Sequence, residues 1–249
     1  PEVCSKCSQE PCICDKKLPQ PCSNCGKRPC ECIKEPQPAC YVCGENPCVC
    51  KKKVKIKLRD GKEREIKHMV STSFWGADGK PISVEEFMNN LCGALPSFFQ
   101  NEDELRQLWS NPATRKGLLG KLADAGYGRA ELYELQKLVD AEKSDLFDVL
   151  EYIAFNIQPM TRQIRVSQAK PRILDGLNLE HRTFLEFVLF KYVDTGFEEL
   201  DQARLPNLIK LKYHSMADAA ESLGGVDEIV NLFMGFQKHL YGRLEFAPT

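Results

Sequence analysis

The chain has 249 residues, with 34 Lys and Arg against 35 Asp and Glu, so its formal net charge is −1. That balance excludes a uniformly basic nucleic-acid coat, although a local basic patch remains open. A mean hydropathy of −0.37 and 28% charged residues fit a soluble globular chain, and no apolar run approaches the ~18–20 residues of a membrane span.

The N-terminal Pro-Glu-Val-Cys has no Met and no signal-peptide pattern. It reads as a piece of something longer, or as processed, and a cytoplasmic location is expected. Twelve of the 13 cysteines lie in the first 50 residues, with eight of the 15 prolines. Cys4, Cys7, Cys12 and Cys14 recur as Cys22, Cys25, Cys30 and Cys32, and again as Cys40, Cys43, Cys48 and Cys50. The period is 18 residues, each unit is C-x2-C-x4-C-x-C, and Pro11, Pro29 and Pro47 precede the third cysteine.

Four thiolates per repeat match a tetrahedral structural zinc site. The C-x2-C half wraps a turn, with Gly26 and Gly44 after its second cysteine and Ser8 in their place in the first repeat. Apolar residues such as Val3, Ile13 and Tyr41 are too few to build a core, so metal must supply the folding free energy. The expectation is three Zn2+ ions, one per repeat. Disulfides, a thiolate-bridged cluster and an iron–sulfur centre are the alternatives. Residues 1–53 carry a net +3, and three Zn(Cys)4 sites would reverse that sign, which weakens a nucleic-acid role for the arm.

Val54, Ile56 and Leu58 alternate with Lys55, Lys57 and Arg59, the pattern of a half-buried strand. Asp60-Gly61 marks a turn, and Glu63 to Val70 forms the return strand. A loop of Asp60, Gly61 and Lys62 would pair Ile56 with Ile66, Lys57 with Glu65 and Arg59 with Glu63. Residues 51–67 carry a net +6. The candidate nucleic-acid contacts are Lys51, Lys52, Lys53, Lys55, Lys57, Arg59, Lys62, Arg64 and Lys67. The plainer reading is a solvated edge guarded by lysine. Glu65-Ile66-Lys67 has the E-x-K form of metal-dependent nucleases, but Asp60 lies in the turn rather than on a preceding strand, so a nuclease site is rejected.

After Phe74-Trp75 and an Asp78-Gly79 turn, helix signals dominate and nothing reads as a strand. Ser83 opens a helix through Phe87, Met88 and Leu91 that Pro96 stops. Asn101 caps a short helix through Trp109, and Asn111-Pro112 opens one through Leu122, ended by Gly126 and Gly128. Leu132 to Val139 mark another, and Ser144 caps one through Ile153. Pro159 and Pro171 bracket a more polar segment. Asn178 then opens Leu179 to Val193, apolar nearly all round, which reads as core or as a docking surface. Leu205 to Leu211, Met216 to Leu223 and a stripe from Val226 to Leu240 complete a multi-helix domain.

The expected class is mainly α: three zinc repeats over 1–50, a basic β-hairpin and linker over 51–80, and a helical domain over 81–245. No phosphate-binding loop, nucleophile elbow or H-E-x-x-H helix occurs. His68, His181, His214 and His239 are scattered, and Cys92 reads as a small core residue.

Leu179-Glu180-His181-Arg182-Thr183-Phe184-Leu185-Glu186-Phe187-Val188-Leu189, the stretch Leu200 to Tyr213, and Gly235-Phe236-Gln237-Lys238-His239-Leu240-Tyr241 resemble the C-terminal region of the R subunit of type I restriction-modification enzymes. Val54 to Leu58, Asp60-Gly61-Lys62, Phe74-Trp75, Gly79 to Ser83 and Asp140 to Asp145 look similar to the region preceding it. The resemblance spans roughly residues 40–242. It implies a parent ATP-dependent site-specific deoxyribonuclease and translocase, with a nuclease, two motor lobes and a helical C-terminal domain. For this chain it implies a non-catalytic module that docks the motor onto the methyltransferase (M) and specificity (S) subunits. Three complete cysteine repeats depart from that pattern. The rival reading is an independent zinc-ribbon nucleic-acid-binding protein.

Overall fold

A computed structural model describes residues 53–67, 74–76 and 79–242. The chain divides after residue 50, and the described residues all belong to one compact unit, 51–249. Among them are four strands and eleven α-helices: β1 Lys53–Lys57, β2 Glu63–Lys67, β3 Phe74–Trp75, β4 Pro81–Ile82, α1 Val84–Ala94, α2 Glu102–Ser110, α3 Pro112–Asp124, α4 Arg129–Leu138, α5 Leu146–Phe155, α6 Arg162–Leu174, α7 Leu179–Thr195, α8 Leu205–Tyr213, α9 Met216–Leu223, α10 Val226–Gly235 and α11 Gln237–Tyr241. The mainly helical class with a small hairpin stands.

The hairpin register differs from the expected one. Ile56 faces Arg64, Lys57 faces Glu63 and Lys55 faces Glu65. The loop is Arg59-Asp60-Gly61, closed by bonds from the Gly61 amide to the Leu58 carbonyl (2.9 Å) and from the Leu58 amide to the Lys62 carbonyl (3.1 Å). The turn chemistry decides this. Gly61 has φ +76°, and a three-residue hairpin loop wants its left-handed residue last, not in the middle. The shift is two residues, so each side chain keeps its face: Ile56, Leu58 and Ile66 still enter the core. The hairpin packs into the helical body rather than linking to it.

A second difference lies just after. β3 and β4 pair antiparallel, Phe74 with Ile82 and Trp75 with Pro81, so Pro81–Ile82 is a strand where none was expected. Two-residue strands are too short to show alternation in a sequence. Phe74 points inward and stacks on Phe87 at 4.1 Å between ring centres, while Trp75 points out and is 63% exposed.

The helix starts follow their caps. Ser83, Asn101, Asn111 and Asn178 accept hydrogen bonds from the amides of Glu86, Glu104, Ala113 and His181. For α5 the cap is Asp145, not Ser144, and its own amide donates to Asp148 Oδ2 at 2.9 Å. The polar segment between the prolines is helix α6, capped by Thr161, with Pro171 tolerated in its last turn. The final stripe breaks at Phe236 into α10 and α11.

The core centres on α5, where eight of ten residues are buried. Trp109 of α2 is fully buried and meets Phe147 (5.9 Å), Phe197 (5.1 Å) and Tyr241 (6.4 Å) by their rings. Rings on α2, on α5, after α7 and on α11 thus meet at one side chain. Trp109→Ala should therefore lower the unfolding free energy by about 3–5 kcal/mol, read by chemical denaturation. A loss under about 1 kcal/mol would show that Trp109 is not the centre of this packing.

Candidate functional surfaces

Cys4, Cys7, Cys12, Cys14, Cys22, Cys25, Cys30, Cys32, Cys40, Cys43, Cys48 and Cys50 lie outside the described residues, as do Lys51 and Lys52. Among the described residues no group of three or more His, Cys, Asp and Glu is placed to hold a metal ion.

The remaining basic hairpin residues split into three groups. Lys53 pairs with Glu65 (3.6 Å), Lys55 with Glu63 (3.2 Å), and Lys67 with Asp140 and Glu142 (2.7 and 2.8 Å). These are exposed or half-exposed pairs on a solvated edge, each worth little stability. Lys57, Arg59 and Lys62, at the turn end, form no close ion pair among the described residues, although Lys57 stands opposite Glu63 in the ladder and Lys62 helps to lower the Asp60 pKa.

Arg64 goes the other way and leaves the candidate set. It is fully buried, and its Nε and Nη2 donate to the carbonyls of Tyr152 (2.7 Å) and Ile153 (2.9 Å). Those carbonyls lie in the last turn of α5, where a cation is favoured by the helix dipole, and the Tyr152 carbonyl takes Arg64 in addition to the Asn156 amide. Nη2 also donates to Asp60 Oδ2 at 2.7 Å. Burial pushes the Asp60 carboxyl up, but hydrogen bonds from Arg64 and the Lys62 amide outweigh it and hold it below the usual range. The alternation pattern places Arg64 on the apolar face, and that is the available signal that it does not meet solvent.

A buried charge network escapes the sequence pattern. Asp145, Asp148 and Glu151 stand three residues apart at the start and along one face of α5, amid apolar residues. Arg165 of α6 donates to Asp148 Oδ1 at 2.5 Å, and Arg106 of α2 donates to Glu151 Oε1 at 2.5 Å. Tyr192 of α7 and Tyr241 of α11 both donate to Asp145 Oδ2, at 2.5 and 2.7 Å. Arg106 reaches the Tyr241 carbonyl as well, at 2.9 Å. Burial pushes Asp148 up against the pull of Arg165, and pushes Glu151 up to about 7 against Arg106. Burial and the Asp145 charge push both tyrosines far above their ordinary range, so they remain donors. Each of the three acids is met by at least one donor, although Asp145 Oδ1 and Arg165 Nε are buried without a hydrogen bond, Arg162 standing 3.7 Å from the former. The arrangement is that of a structural lock.

On the outer side of α6 and α7 runs a groove of about 770 Å³. Its floor is Val166, Leu189 and Val193, with Phe190 65% exposed at its lip. Lys170 and Glu186 join across it at 2.8 Å. The apolar surround of α7 thus divides: Phe184, Leu185, Val188, Leu189 and Tyr192 are core, whereas Phe190 is not.

Residues 85–241 match the family described as EcoEI R protein C-terminal. The chain belongs to this family. It is a C-terminal region of a type I restriction enzyme R subunit, as the resemblance implied. Comparisons with curated proteins and with solved structures returned no match. The match runs from α1 to Tyr241, so in this R-subunit region it takes in the whole buried lock and leaves the hairpin and the cysteine arm outside. No helix among the described residues of this R-subunit region is long and apolar enough to cross a membrane.

The Glu151 carboxyl gives the lock a pH signature. Its folded value, about 7, lies above its ordinary 4.5, so the folded state holds the proton more tightly. Its contribution is full below about pH 4.5 and is lost as pH rises through about 7. Urea denaturation from about pH 5 to pH 8 should show this loss, on the order of 1–3 kcal/mol, in the natural chain. Glu151→Gln, which mimics the protonated form, should flatten it. Parallel profiles for the two proteins would remove Glu151 as the source of the pH dependence.

Proposed function

We propose that this chain is the non-catalytic assembly module of its R subunit, docking an ATP-dependent translocase and nuclease onto the methyltransferase (M) and specificity (S) subunits. One observation carries the reading: the α6–α7 groove, with Phe190 held 65% exposed beside an apolar floor, on a domain of the EcoEI R protein C-terminal family. An exposed aromatic next to an apolar trough is the anatomy of an interface anchor. The buried lock supports it in a second way, because helices held rigidly present a groove that needs no ordering on contact. The parent complex acts on DNA in the cytoplasm in this reading.

The twelve cysteines enter the proposal as three structural Zn2+ sites, one per repeat, stiffening the arm that precedes the hairpin. The 18-residue repeat supports them. The zinc-ribbon rival loses four of its expected hairpin contacts, since Lys53, Lys55 and Lys67 are paired and Arg64 is buried.

Two measurements test this. The full chain should co-purify with the cognate M and S subunits, and Phe190→Asp should weaken that association by about tenfold or more while leaving the helical circular-dichroism signal intact. No association of the natural chain, or an unchanged affinity for the variant, would defeat the docking role. Metal analysis of freshly purified, reduced chain should find three zinc ions per molecule, and chelation should unfold the arm without disturbing the helices. A metal-free reduced sample would dismiss the zinc sites.

A further inference from the structure

The three hairpin cations with no close ion pair among the described residues sit at one end of the hairpin, and that end meets a second surface feature. Arg59 lies across α1 at Gly93, where a Cβ would come within 3.1 Å of its Nη1. The absence of a side chain there gives the guanidinium a seat. Its Nη2 reaches Asn90 Oδ1 at 3.5 Å. Arg59 and Asn90 rim a cavity of about 300 Å³ whose wall includes Tyr127, with Phe87 at its base and Trp75 at its mouth. None of its described lining residues carries a carboxylate. The acids nearest in the hairpin are already engaged: Asp60 by Arg64, Glu63 by Lys55 and Glu65 by Lys53.

Trp75 stands 63% in water, on the face of β3 opposite the inward Phe74. An exposed indole, a seated arginine, a carboxamide and two neighbouring lysines form a chemically coherent set. An indole face can stack a base, the Asn90 amide can donate to a base edge while its oxygen takes Arg59, and the guanidinium suits a phosphate, with Lys57 and Lys62 adding charge at the same end of the hairpin. A paired base in a duplex does not present its face, so the set suits unpaired strand.

We propose that this corner, Trp75 with Arg59 and Asn90, is a binding site for single-stranded nucleic acid, with one base stacked on Trp75 and the turn-end cations on the flanking backbone. The proposal goes beyond docking: it lies on α1 and the hairpins, apart from the α6–α7 groove, and the two fail separately.

The chain has two tryptophans, and Trp109 is fully buried, so emission changes on ligand binding report Trp75. The full chain is titrated with a 15-residue oligothymidylate, following tryptophan emission and the anisotropy of a labelled copy. Emission should be quenched, and affinity should fall with salt at a slope of about 2, as expected for three cations on single strand. Trp75→Ala should abolish the quench and weaken binding by roughly tenfold, whereas Trp75→Phe should keep most of the affinity. Arg59→Ala should weaken binding and lower the salt slope. Emission reports Trp75, so binding by the cysteine arm alone does not enter that readout. A duplex of equal length should leave emission unchanged. Absence of quenching, equal quenching by duplex, or an unaltered affinity for Trp75→Ala would each overturn the proposal. So would unchanged emission with oligothymidylate alongside a shift with the M and S subunits, which would make the corner a protein contact.

Discussion

Three carboxylates on or beside a helix with almost no solvent-facing side constrain everything around them. Asp145, Asp148 and Glu151 belong to the stretch that forms α5, where Leu146, Phe147, Val149, Leu150 and Ile153 are fully buried. A charge taken out of water without partners costs several kcal/mol, so each acid must be met by a donor from elsewhere. Arg106 brings α2, Arg165 brings α6, Tyr192 brings α7 and Tyr241 brings α11. Hydrophobic packing tolerates small slides between helices, but these bonds do not. Well-packed apolar residues could match the stability of such pairs, so their effect here is to select one arrangement of five helices among several that bury similar area.

The arginines also take part in the apolar packing. Arg165 lies 5.0 Å from the ring centres of Phe147 and Tyr241, and Arg106 lies 5.2 Å from Phe147. Their planar faces cover aromatic rings while their edges bond carboxylates, which is why lysine would not substitute. The Trp109 ring cluster and the ionic lock therefore share Phe147 and Tyr241, and form one structure rather than two layers.

Much of the helical plan is legible because it is written locally. Ser83, Asn101, Asn111 and Asn178 announce helix starts within three residues, and Gly196 and Gly224 announce ends. What escapes depends on distant partners. The acids of α5 look like ordinary helix carboxylates until Arg106 and Arg165 arrive from 45 and 17 residues away. The hairpin register hinges on where Gly61 sits in its loop, a distinction of one position that side-chain alternation does not register. The Trp75–Arg59–Asn90 corner joins three segments, and none of them is unusual alone. The α6–α7 groove is half visible, since the apolar run from Phe184 to Val193 in α7 demands either burial or a partner and has both a buried face and an open one.

Arg64 carries a consequence for where this domain begins. The family match starts inside α1, yet the carbonyls that end α5 are closed by a side chain some twenty residues upstream of that boundary. The Tyr152 hydroxyl is likewise occupied by the Glu65 amide, at 2.6 Å. A fragment trimmed to residue 85 would strip a plug from the central helix and bare the apolar surface beneath Ile56, Leu58 and Ile66. The evolutionary unit and the mechanical unit are thus different lengths of the same polypeptide, and the shorter one lacks its stopper.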